Sequence, residues 1–585
     1  MSLSIARYSA YSALMTTQTQ ISVASANIAN ADTEGYTRKT ATQVATVSNG
    51  IGTGTTITGI SSNVDKLLLK SLFQAVSALG SATVTDSYAS QLQSLFGSTS
   101  SGDDSSGTSI ANTIAALETA IADLADTPES ETLKAQVVSA LDDVAAQLRD
   151  TSSQIQTLRS NADQEIASDV NQANDLLATI KDLNDQIAKE QAAGNSTADL
   201  EDQRNTALQN LSSLMDINYY STDSGAIYVY TTSGQVLLNS AVHELSFTSA
   251  GSVTSSAAYP GGLSGITVDG TDITAQIKSG SIAALIDQRD NVLTDAQSEL
   301  DQLAVTLADS LNAISNASTA SPPPNSLTGV TEVASGDSLS ASGIFRVAAT
   351  DSDGNLVSYQ DFDLSSYATV GDLVSAIDGM DGVSASIDAD GHVTITADDS
   401  SNGVAVNEMT SSVGSSGRGL ADYFGLNDLV AATGAGDFTV RSDILLNASL
   451  LPNSTLNPSS TLTVGDSVVP EGSTAMAQSL YDVMTGDTSF SAAGNLSNRS
   501  TSFASYAADI VSDIASAAAK ASNTLTTKET VKSNLADTVS SQSGVNIDEE
   551  TARVSQLENE YAAAAQLLQV LNSMFSTLLE SVQSS

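Results

Sequence analysis

The chain has 585 residues, with 21 lysines and arginines against 67 aspartates and glutamates, a net charge of −46, and neither cysteine nor tryptophan. Such a surface repels nucleic acid and anionic membrane, and the missing cysteines exclude disulfides, thiolate metal sites and a cysteine nucleophile. The length corresponds to roughly four domains of ordinary size, enough for several hydrophobic cores.

The acidity is uneven. Residues 1–70 hold Arg7, Arg38, Lys39, Lys66 and Lys70 against Asp32, Glu34 and Asp65, so this end is slightly basic. The first 30 residues lack a continuous apolar run, and no cleaved Sec leader is expected there. No stretch reads as the roughly 20 apolar residues of a membrane span. All eight prolines lie between Pro128 and Pro470, which leaves both ends free for long helices.

In chain order, the first predicted element is a helix whose seam is Leu3, Ala10, Leu14, Thr17, Ile21, Ala24, Ile28 and Ala31, at spacings of three, four and seven. Gly- and Ser-rich text at 97–107 reads as a loop. Thr127-Pro128-Glu129 reads as a helix start, with a capping hydroxyl, a proline and an acid in the first turn. That helix runs to about residue 191, with an inner seam of Ile166, Val170, Ala173, Leu177, Ile180, Asn184 and Ile187. Gly194-Asn195 ends it, and another helix covers about 198–215.

Strand signals begin at Asn218. Residues 227–230 and 236–238 flank Ser233-Gly234 as a hairpin, and Asp269-Gly270 marks another turn. A helical stretch follows at about 281–315, and Pro322-Pro323-Pro324 reads as a stiff linker. A second β-rich region covers about 330–440. Its clearest hairpin alternates Val383, Ala385 and Ile387, turns at Asp390-Gly391, and returns through Val393 and Ile395. The C-terminal seam is Val554, Leu557, Tyr561, Ala564, Leu568, Leu571, Phe575, Leu578 and Val582.

The expected fold is α+β and multidomain. Residues 1–60 and 541–585 pair as a terminal coiled coil, and 61–216 with 441–540 form a helical inner domain. Residues 217–321 form a mixed β/helical domain, and 322–440 a β-rich outer domain. An N-terminal seam built of alanine and threonine is marginal alone and needs a partner helix.

Motifs for chemistry are weak. His243-Glu244 lacks the second histidine of a zinc-protease helix, since position 247 is Phe and the other histidine is His392. Asp351-Ser352-Asp353-Gly354-Asn355 has glycine and glutamate misplaced for a calcium loop and reads as a turn. Residues 50–59 carry glycines without the lysine of a phosphate loop. No catalytic, cofactor or metal site is expected.

Asn27-Ile28-Ala29-Asn30-Ala31-Asp32-Thr33-Glu34-Gly35-Tyr36-Thr37-Arg38 resembles the N-terminal signature of flagellar axial proteins, the rod, hook and hook-associated subunits. Ala26 and Asp32 stand where asparagine is common, and Glu34 replaces a frequent proline. Gly544-Val545-Asn546-Ile547-Asp548-Glu549-Glu550, followed by Tyr561-Ala562-Ala563-Ala564, resembles the hook-associated protein 1 family. Glu558 and Glu560 depart from its usual glutamine and alanine. Val170-Asn171, Leu183-Asn184, Asp199-Leu200-Glu201-Asp202-Gln203-Arg204 and Tyr423-Phe424-Gly425-Leu426-Asn427-Asp428 agree with that family, while about 330–410 carries little of it.

The resemblance implies a structural subunit of the extracellular flagellum, exported through the type III apparatus. It would form a ring with itself between hook protein and hook-associated protein 3, with an export chaperone, no catalysis and no cofactor. Seams and signature together mark Leu14, Ile21, Ile28, Asn30, Gly35, Tyr36, Leu557, Tyr561, Leu568, Leu571, Phe575 and Leu578 as subunit-assembly residues. A hook or flagellin-type axial subunit, or a secreted adhesin with β-rich modules on a helical stalk, are the alternatives.

Overall fold

The computed structural model describes residues 3–48, 50–97, 109–222, 224–415 and 417–583. Helix α1 (Leu3–Ala29) leads through the signature loop into an antiparallel ribbon, β1 (Lys39–Ser48) with β2 (Ile51–Ser62). The ribbon is absent from the sequence-based expectation, although Thr/Val alternation beside an Asn49-Gly50 pair is a hairpin signal. Helix α2 (Lys66–Phe96) follows, capped by the Asp65 carboxylate, which accepts from the Leu67 and Leu68 N–H groups. Most of the loop expected at 97–107 lies outside the described residues.

Helices α3 (Ile110–Asp126), α4 (Glu131–Ala193) and α5 (Ala198–Leu214) come next. The start of α4 differs from expectation. Its cap is Ser130, whose hydroxyl accepts from Leu133 N–H at 3.4 Å. Thr127-Pro128-Glu129 instead closes α3: Thr127 N–H donates to Leu124 C=O, and Ser130 N–H donates back to Thr127 C=O. Proline suits that turn as well as a first helical turn. The inner seam of α4 is buried as expected, from Ile166 to Ile187. Its one polar member is satisfied: Asn184 donates to Ile227 C=O at 2.8 Å and accepts from Ile227 N–H and the Arg204 guanidinium, each at 2.9 Å. That pairing fixes β3 (Ile217–Ser221), β4 (Ile227–Thr231) and β5 (Val236–Leu238), a meander with the expected Ser233-Gly234 turn, against the helix.

Short strands β6 (Leu245–Ser246), β7 (Thr267–Val268) and β8 (Thr271–Asp272) turn at Asp269-Gly270. The stretch expected as one helix at 281–315 is α6 (Ser281–Asp287), a π turn (Gln288–Val292) and α7 (Leu293–Asn316). The wider turn leaves Arg289 fully buried, paired with Asp163 at 2.7 Å. Leu300, Leu303 and Leu307 of α7, Ile227 and Val229 of β4 and Leu177 of α4 share one core, so residues 217–321 pack as part of the helical unit.

The proline run is a packed crossing, not a free spacer: Pro323 is buried and Pro324 C=O accepts from Val404 N–H at 2.8 Å. Beyond it lie β9 (Ser326–Thr328), β10 (Ala341–Ser342), β11 (Ile344–Thr350), β12 (Leu356–Asp363), α8 (Val370–Asp378), β13 (Val383–Ile387), β14 (Val393–Ala397), β15 (Gly403–Asn407), β16 (Ser412–Val413) and α9 (Leu420–Phe424). Three-stranded sheets β12-β11-β15 and β13-β14-β9 enclose their own core of Phe345, Phe362, Leu373, Ile395 and Phe424. The Asp351 carboxylate ties the β11–β12 turn by accepting from Asp353 and Asn355 N–H.

This outer core stops at Leu426, earlier than the expected 440. Leu429, β17 (Val430–Ala431) and β18 (Thr439–Val440) pack on the helical core instead. Asn427 and Asp428 make the join: Asn427 donates to Ser318 C=O, and Asn316 donates to the Asp428 carboxylate. The chain returns through α10 (Ser442–Leu446), α11 (Thr474–Thr485), β19 (Thr488–Phe490) and β20 (Arg499–Thr501) to α12 (Phe503–Ser543) and α13 (Ile547–Gln583). By length and composition, α2 and the Phe503–Val582 stretch are apolar enough to cross a membrane, contrary to expectation. Both are rich in alanine, leucine and serine, and the charged residues of α2 are Lys66, Lys70 and Asp86. Helix α2 spends its apolar residues in the core, and α13 points part of its own at α1.

Candidate assembly site

Helices α1 and α13 pack antiparallel. Asn27 meets Glu550 at one end, and the Arg7 guanidinium lies over the Phe575 ring, 5.5 Å from its centroid, at the other. Small residues take the closest approach on α1: Ala10, Thr17 and Ala24, seven apart, are buried. Leu14, Ile21 and Ile28 flank them half-buried, and Ala31 falls beyond the helix end. The other side of α1 rests on β2, where Ser12 Oγ accepts from Thr55 N–H at 3.1 Å.

The C-terminal seam divides. Leu557 and Leu571 are buried and Leu568 half-buried, while Tyr561, Phe575 and Leu578 are exposed in the single chain. Leu567, Val570, Met574 and Leu579 on α13 and Tyr8, Tyr11 and Met15 on α1 are exposed as well, and Val570, Met574 and Leu578 line one groove. Glu558 and Glu560 are exposed.

A polar clasp locks the pair to the helical unit. Asn27 is completely buried. Its amide donates to Lys39 C=O at 2.9 Å and to the Glu550 carboxylate at 3.1 Å. Its carbonyl accepts from Lys39 N–H and from the Tyr36 hydroxyl, each at 2.9 Å. Burial, with the charges of Asp199, Asp202 and Glu550, pushes the Tyr36 hydroxyl up to about 12, so it remains a donor. Buried Glu550 also accepts from Arg38 Nε at 2.6 Å. Asp202 accepts from Thr37 N–H at 2.9 Å and pairs with the Lys39 ammonium, which also lies over the Tyr36 ring at 4.6 Å. Chain positions 27, 38, 202 and 550 thus meet in one network.

Of the expected signature residues, Gly35 and Tyr36 are in this network's loop. Gly35 adopts φ 76°, and a Cβ there would collide with Thr206 Oγ1 on α5. Asn30 makes only local bonds, donating to Ala26 C=O and accepting from the Thr33 hydroxyl. Asn27, Arg38, Lys39, Asp202 and Glu550 were not among the expected assembly residues. Each was in a quoted motif or next to one, but their partnership spans up to 523 residues of chain, which local pattern does not encode.

His243 pairs with Asp269 at 2.6 Å and His392 with Asp388 at 3.5 Å, both in turns. Among the described residues no cluster of three or more His, Asp or Glu could hold a metal.

Comparisons with known proteins follow the same parts of the chain. Residues 89–321 match the family described as the flagellar hook-associated protein FlgK helical domain, and residues 8–37 match the flagella basal body rod protein family. Flagellar hook-associated protein 1 of Escherichia coli (strain K12) is 23% identical over 588 residues, covering 97% of this chain and 98% of that protein. The Salmonella typhimurium protein of that name is 24% identical with the same coverage. The Bacillus subtilis one is 25% identical over 52% of this chain and 65% of its own length. The solved flagellar hook junction protein FlgK from Burkholderia pseudomallei shares the fold, with a TM-score of 0.51 at 16% identity, over 80% of this chain and 99% of that one. The resemblance read from the terminal motifs therefore extends along nearly the whole chain.

Proposed function

We infer that this chain is a flagellar hook-associated protein of the first kind, a structural subunit joining hook to filament. The carrying observation is the terminal helix pair. It is built and clasped within one chain, yet leaves Tyr8, Tyr11, Leu567, Val570, Met574, Phe575, Leu578 and Leu579 uncovered on two neighbouring helices. Large apolar side chains left exposed in such number on paired helices mark protein–protein contact. Fully burying one such side chain is worth about 1.5–3 kcal/mol, so a ring of copies gains substantially by closing over it.

In this reading α1 and α13 form the inner wall of a short ring. Tyr561, Phe575 and Leu578 meet neighbouring copies, while Leu14, Ile21, Ile28, Leu557, Leu568 and Leu571 hold the pair within a copy. Asn30, Gly35 and Tyr36 set the angle between the pair and the helical unit through the clasp. The outer β unit, carried on the Asn316–Asp428 join, faces away from the axis. Hook protein lies on one side and hook-associated protein 3 on the other. The chain travels unfolded through the type III export route, held by a chaperone beforehand, and no catalytic step is required.

Deletion of the gene tests this. Complete hooks without filaments are expected, with restoration by the full chain but not by one ending at residue 546. Normally attached filaments in the deletion strain would overturn it.

A further inference from the structure

Ten lysines occur in the chain. Lys39, Lys134 and Lys181 form ion pairs. Of the other seven, which form none among the described residues, six gather in one place. Lys66 and Lys70 lie on α2, and Lys520, Lys528 and Lys532 on α12. Lys278 is next to Ser279, which lines the groove between these helices. The acids of the two helices, Asp86, Asp509, Asp513, Glu529 and Asp537, pair with none of them. In a chain of net charge −46, so local a gathering of unpaired cations needs a partner of opposite charge.

The surface beneath them is also uncovered. From Ser522 to Gln542, α12 has no fully buried residue, although it carries Leu525, Val531, Leu535 and Val539. Between α2 and α12 runs a groove of about 450 Å³, floored by Ala78, Ala82 and Ala521 and edged by Lys520 and Lys528. The chain continues from α12 through Gly544 into α13.

The complementary surface is on α4. Asp143, Asp150, Asp175 and Asp182 are exposed. At 100° per residue they fall within about 60° of one another around the helix. Helix α3 packs on both α4 and α12, and α5 on both α4 and α2. We propose that the lysine-bearing α2–α12 face is where a second copy of this chain docks, presenting the acidic face of its α4. The inference rests on reading the chain as an assembling axial subunit and names the flank contact between copies.

The test uses K528E/K532E, D175K/D182K and the four-fold combination, expressed from the chromosome of the native bacterium with a tag. Each double variant should be secreted, keep the wild-type Tm when purified, and attach filaments at least tenfold less often. The four-fold charge swap should restore attachment. Wild-type attachment by K528E/K532E overturns the proposal, and a four-fold variant no better than the doubles overturns α4 as the partner face. If K528E/K532E unfolds, K528Q/K532Q removes the charge without reversing it; reduced attachment supports the contact and wild-type attachment overturns it. Wild-type protein found away from the hook–filament boundary would be a failure of the functional reading instead, visible before any variant is scored.

Discussion

Asn27 and Glu550 are 523 residues apart in the chain and 3.1 Å apart in the structure. Both are completely buried, and every polar atom of the asparagine side chain is paired. The bond closes the two chain ends onto each other, Arg38 adds a second tie to Glu550, and Lys39 extends the network to the helical unit through Asp202.

Asn27→Ala should therefore loosen the clasp. It leaves Lys39 N–H, Lys39 C=O and the Tyr36 hydroxyl without a partner, at about 1–3 kcal/mol for each buried group that water cannot reach. Hydrogen exchange should accelerate over residues 36–48 and 547–557 and stay unchanged in the middle of α4. Asn30→Ala, which loses only exposed bonds to Ala26 and Thr33, should shift stability by less than about 0.5 kcal/mol. Equal effects from the two would remove the clasp's special role.

At Gly35 two costs are separable. Alanine in the left-handed region costs about 1–2 kcal/mol, and its Cβ also meets Thr206 Oγ1. G35A should lower the unfolding midpoint, and G35A/T206A should recover only the collision part. Full recovery would show that backbone conformation is unimportant there.

The two halves of the C-terminal seam should respond differently. Leu571→Asp puts a charge at a buried position against α1 and should destabilise the terminal pair by at least about 2 kcal/mol. Phe575→Asp changes an exposed residue, so monomer stability should move by less than about 0.5 kcal/mol while filament attachment is lost. A large fall in the monomer's Tm for Phe575→Asp would make that position ordinary core.

Glu299 gives a pH signature of the helical unit. Burial, aided by nearby Asp513 and Asp295, pushes its carboxyl up to about 7, against the pull of the Asn495 N–H hydrogen bond and Arg499. The unfolded chain releases this proton near pH 4.3. Between those values the folded state holds a proton that the unfolded state has lost, so stability falls as pH rises from about 4.5 to about 7 and is flat above. Glu299→Gln keeps the acceptor for Asn495 and removes the titration. The Tm of E299Q should exceed that of the wild type by an amount that grows through this window. A constant difference would contradict the assignment.

The elements legible in sequence were those encoded by local pattern. The α4 seam, the Ser233-Gly234 and Asp390-Gly391 hairpins and the Gly194 stop depend on spacing and turn chemistry within a few residues. The start of α4 was misplaced because Thr127-Pro128 and Ser130 are both competent signals, and only the packing of α3 decides between them. Phe575 and Leu571 look alike in a heptad, and which of them α1 covers fully depends on the twist of the pair. The end of the outer unit at Leu426, not 440, depends on Asn427 and Asp428 bonding back to α7, more than 100 residues away. The roles of Asn27, Asp202 and Glu550 were hidden for the same reason, although their motifs stood out.

The most direct measurement is the position of the tagged protein along isolated flagella. The account predicts one narrow band at the boundary of hook and filament, lost when Phe575→Asp or Leu578→Asp uncouples the terminal helices from neighbouring copies. Label along the filament's length, or absent from flagella altogether, would contradict it.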